Sequence, residues 1–101
     1  FPGLDEARRV GRELVERRLA ACVNIIPGMT AIFEWKGKLD EVAEIAMLIK
    51  TRREMAADVM SETRKLHPYT VPALLVIDLA GADEEFAAWI AGQTSPGGAR
   101  A

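Results

Sequence analysis

The sequence predicts an α+β domain, and three patterns carry that reading. Apolar residues recur at helical spacing before position 21, and β-branched runs with two-residue alternation follow. A second helical stretch then separates those runs from a last short apolar segment. With 101 residues, one compact unit is expected over 1–94, followed by a flexible C-terminal tail over 95–101. Half the residues are hydrophobic, which excludes a wholly disordered chain because the apolar surface available for burial can offset the entropy of ordering.

The first helix begins at Asp5 and Glu6, whose carboxylates oppose the positive end of the helix dipole. Ala7, Val10, Leu14 and Ala21 form its apolar stripe, with Gly11 and Val15 beside them. Arg8, Arg9, Arg12, Glu13, Glu16 and Arg17 make a solvated face. From Cys22 the pattern becomes extended. Pro27-Gly28 predicts a bulge or a break before Thr30-Ala31-Ile32-Phe33-Glu34-Trp35, because proline lacks a ladder donor. Lys36-Gly37-Lys38 turns the chain, and 39–50 runs back. Ala43, Ile45, Met47 and Ile49 alternate on one face of that return strand. Val42, Ala46 and Leu48 share the other with Glu44, so both faces need cover.

Thr51-Arg52-Arg53-Glu54 has capping-box spacing before a second helix, with Met55, Val59, Met60, Thr63 and Leu66 on one stripe. Pro68 ends that helix at His67. Ala73-Leu74-Leu75-Val76-Ile77 reads as a buried strand, and Asp83, Glu84 and Glu85 open a last helix carrying Phe86, Trp89 and Ile90. This order resembles a ferredoxin-like split βαβ sandwich with an extra C-terminal helix. Its central opening strand has no counterpart here, so a first strand before residue 1 is expected to be missing.

Five motifs in register extend the resemblance from fold to family. They are Ala20-Ala21-Cys22-Val23-Asn24-Ile25, Phe33-Glu34-Trp35-Lys36-Gly37-Lys38, Lys50-Thr51, His67-Pro68-Tyr69-Thr70-Val71-Pro72 and Phe86-Ala87-Ala88-Trp89-Ile90. In order and spacing they resemble the CutA family of divalent-cation tolerance proteins. The resemblance implies a ferredoxin-like subunit in a tight homotrimer, hairpin strands that pair across subunits, and association with copper and other divalent cations. Three departures stand out. Phe33 and Phe86 replace the usual tyrosines, Ala73 follows Pro72 where glutamate is usual, and a cysteine that some members carry on the first strand would fall before Phe1.

His67 is the sole imidazole and the candidate metal ligand. One histidine makes no site alone, so a threefold axis, or Glu62 and Asp58 on the same helix, would have to help. Against this stands a plain role in closing the helix. Cys22 is expected to be buried and inert, with a soft Cu(I) ligand as the lesser reading. A single cysteine allows neither an intramolecular disulfide nor a Cys-only zinc site within one subunit. Phe33, Trp35 and the basic turn make an apolar hairpin tip that suits a neighbouring subunit. Trp89, with Phe86 and Ile90, reads similarly, or as cover for a sheet edge.

Thirteen basic and fifteen acidic side chains give a net charge of −2, which offers no footprint for nucleic acid. The longest apolar runs are far below the roughly 20 residues a membrane helix needs, and the first residues do not read as a secretory leader, so a cytoplasmic location is expected. No Ser/His/Asp set, phosphate loop or metal-hydrolase histidine pair is visible. The sequence therefore points to a non-enzymatic homotrimer for divalent metal tolerance, with copper or another divalent cation and no organic cofactor. The alternative is a trimeric signalling module resembling the nitrogen-regulatory PII proteins, in which Arg52, Arg53, Lys36 and Lys38 meet phosphates at subunit clefts. A small enzyme with an intersubunit cleft is the third reading.

Overall fold

The computed structural model describes residues 1–95, so of the tail expected over 95–101 all but Ser95 lies outside the described residues. The elements are α1 (Leu4–Glu16), β1 (Cys22–Trp35), β2 (Lys38–Lys50), α2 (Ala56–Leu66) and α3 (Glu84–Gln93), with a 3₁₀ turn over Arg53–Met55. The fold is α+β: two long antiparallel strands carry α1 and α2 against one face, and α3 follows as an extra helix.

The core lies where α1 meets the base of the hairpin. Ala7, Val10 and Leu14 are fully buried, and Val10, Leu14 and Ala20 cluster with Val23, Ile49 and Leu66 packed against them. Gly11 sets the approach distance, because a Cβ built there would lie 2.7 Å from Val23 Cγ2. Beyond Glu16 the chain closes a Schellman motif. Arg18 N–H donates to Val15 O at 3.1 Å and Leu19 N–H to Leu14 O at 3.0 Å, with Arg18 left-handed at φ 60°.

The hairpin closes through Lys36 and Gly37, at φ 52° and 78°, between the paired residues Trp35 and Lys38. Two consecutive left-handed residues are the signature of a type I′ turn, whose twist matches that of the strands. The predicted irregularity at Pro27-Gly28 is a bulge within one continuous strand. Ile26 pairs with Ala46 and Met29 with Glu44, so two residues oppose Ile45 alone.

Three sequence expectations need correction. The Thr51–Glu54 capping box does not form: Thr51 Oγ1 donates instead to Leu19 O at 2.8 Å, and a 3₁₀ turn precedes α2. Tying β2 to the α1–β1 connection uses the hydroxyl that a cap would need. Secondly, 73–77 forms no regular element and pairs with no strand among the described residues. Its side chains are exposed, Leu75 at 86 % and Ile77 at 78 %, because no strand lies beside them to complete a sheet. Thirdly, Cys22 is half-buried rather than enclosed.

Register assigns the two faces of the sheet. Val23, Ile25, Met47 and Ile49 turn toward the helices, and Ile26, Met29, Ala31, Phe33, Trp35, Val42, Ala46 and Leu48 turn away. That outer row carries large exposed apolar side chains, among them Ile26 at 46 % and Trp35 at 54 %. Among the described residues most of that row is left open, with Phe86 of α3 meeting Lys50 at its end.

Candidate functional site

His67 is placed by the end of α2. Pro68 forces it out of helical geometry, to φ −76° and ψ 139°, while its N–H still donates to Thr63 O at 2.9 Å. The ring lies beside Phe1 at 4.2 Å and Tyr69 at 4.9 Å between centroids. Its Nδ1 accepts the Tyr69 backbone N–H at 3.1 Å. Tyr69 in turn donates its hydroxyl to Glu44 (3.1 Å to Oε1, 3.2 Å to Oε2), and the Phe1 amino nitrogen lies 3.5 Å from Glu44 Oε2. An imidazole, a phenol and a carboxylate from α2, its following loop and β2 thus meet at one corner.

Electrostatics keep this corner's groups neutral where they can be. Partial burial, aided by the Phe1 amino group, holds His67 below its ordinary range, against the opposing pull of Glu44 and Glu6. Burial, then the bond to Glu44, pushes the Tyr69 hydroxyl up. A neutral imidazole that accepts at Nδ1 carries its proton on Nε2. A cation at Nε2 must therefore displace that proton and compete with the Tyr69 N–H for the ring.

The residues of one chain do not fit a complete metal sphere. Among the described residues no group of three or more His, Cys, Asp or Glu side chains is placed to hold an ion. Glu62, weighed as a helper, is taken by Arg17 at 2.7 Å and Lys65 at 2.9 Å, and these partners pull its carboxyl below the ordinary carboxylate range. Cys22 opens β1, at the wall of a shallow groove with Arg8, Arg12 and Glu16. Glu44 and Tyr69 are the site residues that sequence reasoning passed over. Glu44 had one visible signal, a carboxylate on an otherwise apolar strand face.

Two of the four basic residues considered for phosphate, Arg52 and Arg53, are engaged elsewhere. Arg52 donates to Thr94 Oγ1 (2.9 Å) and Thr94 O (2.8 Å), and Arg53 pairs with Asp78 at 3.2 Å. On α3, Phe86 and Trp89 stack at 5.8 Å with Lys50 Nζ over the Phe86 ring. Among the described residues no helix is long and apolar enough to cross a membrane.

Comparison with known proteins places this geometry. The profile of the "CutA1 divalent ion tolerance protein" family matches residues 1–93. The divalent-cation tolerance protein CutA of Archaeoglobus fulgidus is 43 % identical over 89 residues, spanning 88 % of this chain and 86 % of the relative. The Thermus thermophilus protein of the same name is 39 % identical with the same coverage. In three dimensions, the Thermus thermophilus Cut A1 structure superposes with a TM-score of 0.88 at 38 % identity, covering 93 % of this chain and 91 % of that one. CutA1 from Pyrococcus horikoshii gives 0.90 at 31 % identity, covering 95 % and 93 %. Matched in sequence over nearly its whole length and in backbone over the same span, the chain belongs to the CutA1 divalent ion tolerance family.

Proposed function

We propose that this protein acts in divalent-cation tolerance as a non-enzymatic homotrimer, with copper as the cation and His67 as a ligand supplied once per subunit. The observation that carries this reading is the outer row of the hairpin, from Ile26 through Met29 and Phe33 to Trp35, with Leu48 beside it. An apolar band of this kind on a monomer marks a contact surface. A second and third copy of the same face are the economical cover under closed symmetry. Assembly also supplies what one chain lacks, since three subunits bring three imidazoles and three Glu44 carboxylates. The cytoplasm is the compartment we propose, in keeping with a lone thiol that has no disulfide partner among the described residues.

Light scattering on a sizing column tests the assembly. The reading expects the mass of three chains, and Phe33→Asp lowers it toward one. A wild-type monomer overturns it. Calorimetric titration with Cu(II) tests the ligand. His67→Ala should weaken binding at least tenfold with unchanged assembly, whereas superimposable isotherms remove His67 from the site.

A further inference from the structure

A groove of about 550 Å³ runs between α1 and the start of β1. Gly11 and Val15 of α1, with Val23 and Ile25 of β1, give it an apolar lining. Gly11 keeps the helix close to the strand here, since a Cβ at that position would meet Val23 Cγ2 at 2.7 Å. Charge is gathered on the helical rim, where Arg8, Arg12 and Glu16 follow one another at four-residue steps along α1. Residues so spaced stack on one helix face, about 6 Å apart along the axis.

The rim carries positive charge that the chain does not neutralise. Like charges four residues apart oppose each other on a helix. Arg8 makes only a 3.9 Å approach to the fully exposed Asp5. Arg12 has no ion-pair or hydrogen-bond partner among the described residues, although Glu16 lies one turn away on the same rim. The strand adds backbone donors. Ile45 gives its N–H to Phe1 O at 2.8 Å and so faces away from β1, and Met47 and Ile49 follow it at two-residue steps. Their partners Ile25 and Val23 therefore direct their own N–H groups away from β2, to the edge that borders the groove.

We propose that this groove binds a small amphipathic monoanion, its carboxylate held by Arg8 and Arg12 and its aliphatic body laid on Gly11, Val15 and Val23. A guanidinium presents parallel N–H groups that match a carboxylate, and two of them on successive turns clamp one anion between them. Bound there, the anion also relieves the repulsion between the two arginines. Glu16 sets the charge limit. Lying about 12 Å from Arg8 along the helix axis, it repels a second carboxylate at the far end, so a monoacid fits and a diacid does not. An apolar lining with a few converging polar groups is the usual make-up of a small-molecule site.

The test titrates the full chain with hexanoate at low ionic strength while backbone amide shifts are followed by NMR. Saturable shifts are expected at Gly11, Val23 and Ile25. Arg12→Gln should weaken binding at least tenfold. Arg9→Gln removes the same charge from a position off the groove and should leave binding unchanged. Adipate should bind several-fold more weakly than hexanoate, and Glu16→Gln should narrow that gap. All three side chains are exposed, so circular dichroism should be the same in every variant. Absence of saturable shifts, equal affinity for adipate, or equal weakening by Arg9→Gln and Arg12→Gln overturns the proposal, the last by reducing it to net charge. Slow amide exchange at both Val23 and Ile25 without hexanoate also overturns it, because a neighbouring copy would then already cover this edge.

Discussion

Arg18 and His67 show how single positions set local energetics. Arg18 occupies the left-handed position of a Schellman motif usually given to glycine, and its buried Nη1 has no hydrogen-bond partner among the described residues. Arg18→Gly removes the Cβ penalty and the stranded donor, and should raise stability by about 1 kcal/mol in urea titrations. His67 acts through protonation. Its folded-state pKa lies below the unfolded value near 6.5, so the unfolded chain takes up the proton first on acidification. Stability at neutral pH therefore falls as pH drops below about 6.5. Glu44, Glu6, the Phe1 amino group and Tyr69 all face the ring. Melting temperatures at pH 7.5 and 5.5 should differ less in His67→Gln than in wild type; equal differences would show that the ring contributes no slope. At this scale the sequence was only partly legible. It marked His67 as a helix end, but the ring's acceptance of the Tyr69 amide depends on a loop conformation that composition does not encode.

The elements were more legible, because periodicity reports them directly. The stripe of Ala7, Val10 and Leu14 predicted α1, and two-residue alternation predicted the hairpin. The capping box failed because a hydroxyl's partner is chosen by tertiary neighbours, here Leu19 O. The last apolar run failed as a strand because a strand is a pairing, and a run of residues specifies its own side only. Two contacts between elements invite measurement. Gly11→Ala places a methyl within 2.7 Å of Val23, so overpacking of about 1–3 kcal/mol outweighs the gain of up to about 1 kcal/mol in helix propensity. Val23→Ala in the same chain should recover part of the loss, and a double-mutant cycle reads the coupling. Arg52 fastens the end of α3 through Thr94, whose side chain is buried. Arg52→Ala should cost about 2 kcal/mol and speed amide exchange in the last turn of α3. Exchange unchanged there would mean that the helix is held by other contacts.

At the scale of the whole molecule, the hairpin reaches beyond its supporting helices, and the described chain measures 47 × 27 × 23 Å. The helices cover only the base of one face, so the chain's largest apolar surfaces are the outer row of the sheet and the run 73–79. Stability of the proposed trimer should then depend on protein concentration. Thermal melts over a hundredfold dilution check this, with a falling midpoint expected and a constant one counting against assembly. Alternation already implied that β2 needed cover on both sides; which surface supplies it is a property of copies meeting, and a single sequence is silent on that. The bulge at Pro27-Gly28 has its own consequence for this surface. Along β1 the outer apolar positions step by two everywhere except from Ile26 to Met29, where they step by three. The extra residue absorbs that change of phase, so a pattern that breaks on paper emerges as one unbroken band in space. Shortening the bulge by Gly28 would make that step two as well, restoring a regular ladder with the band intact.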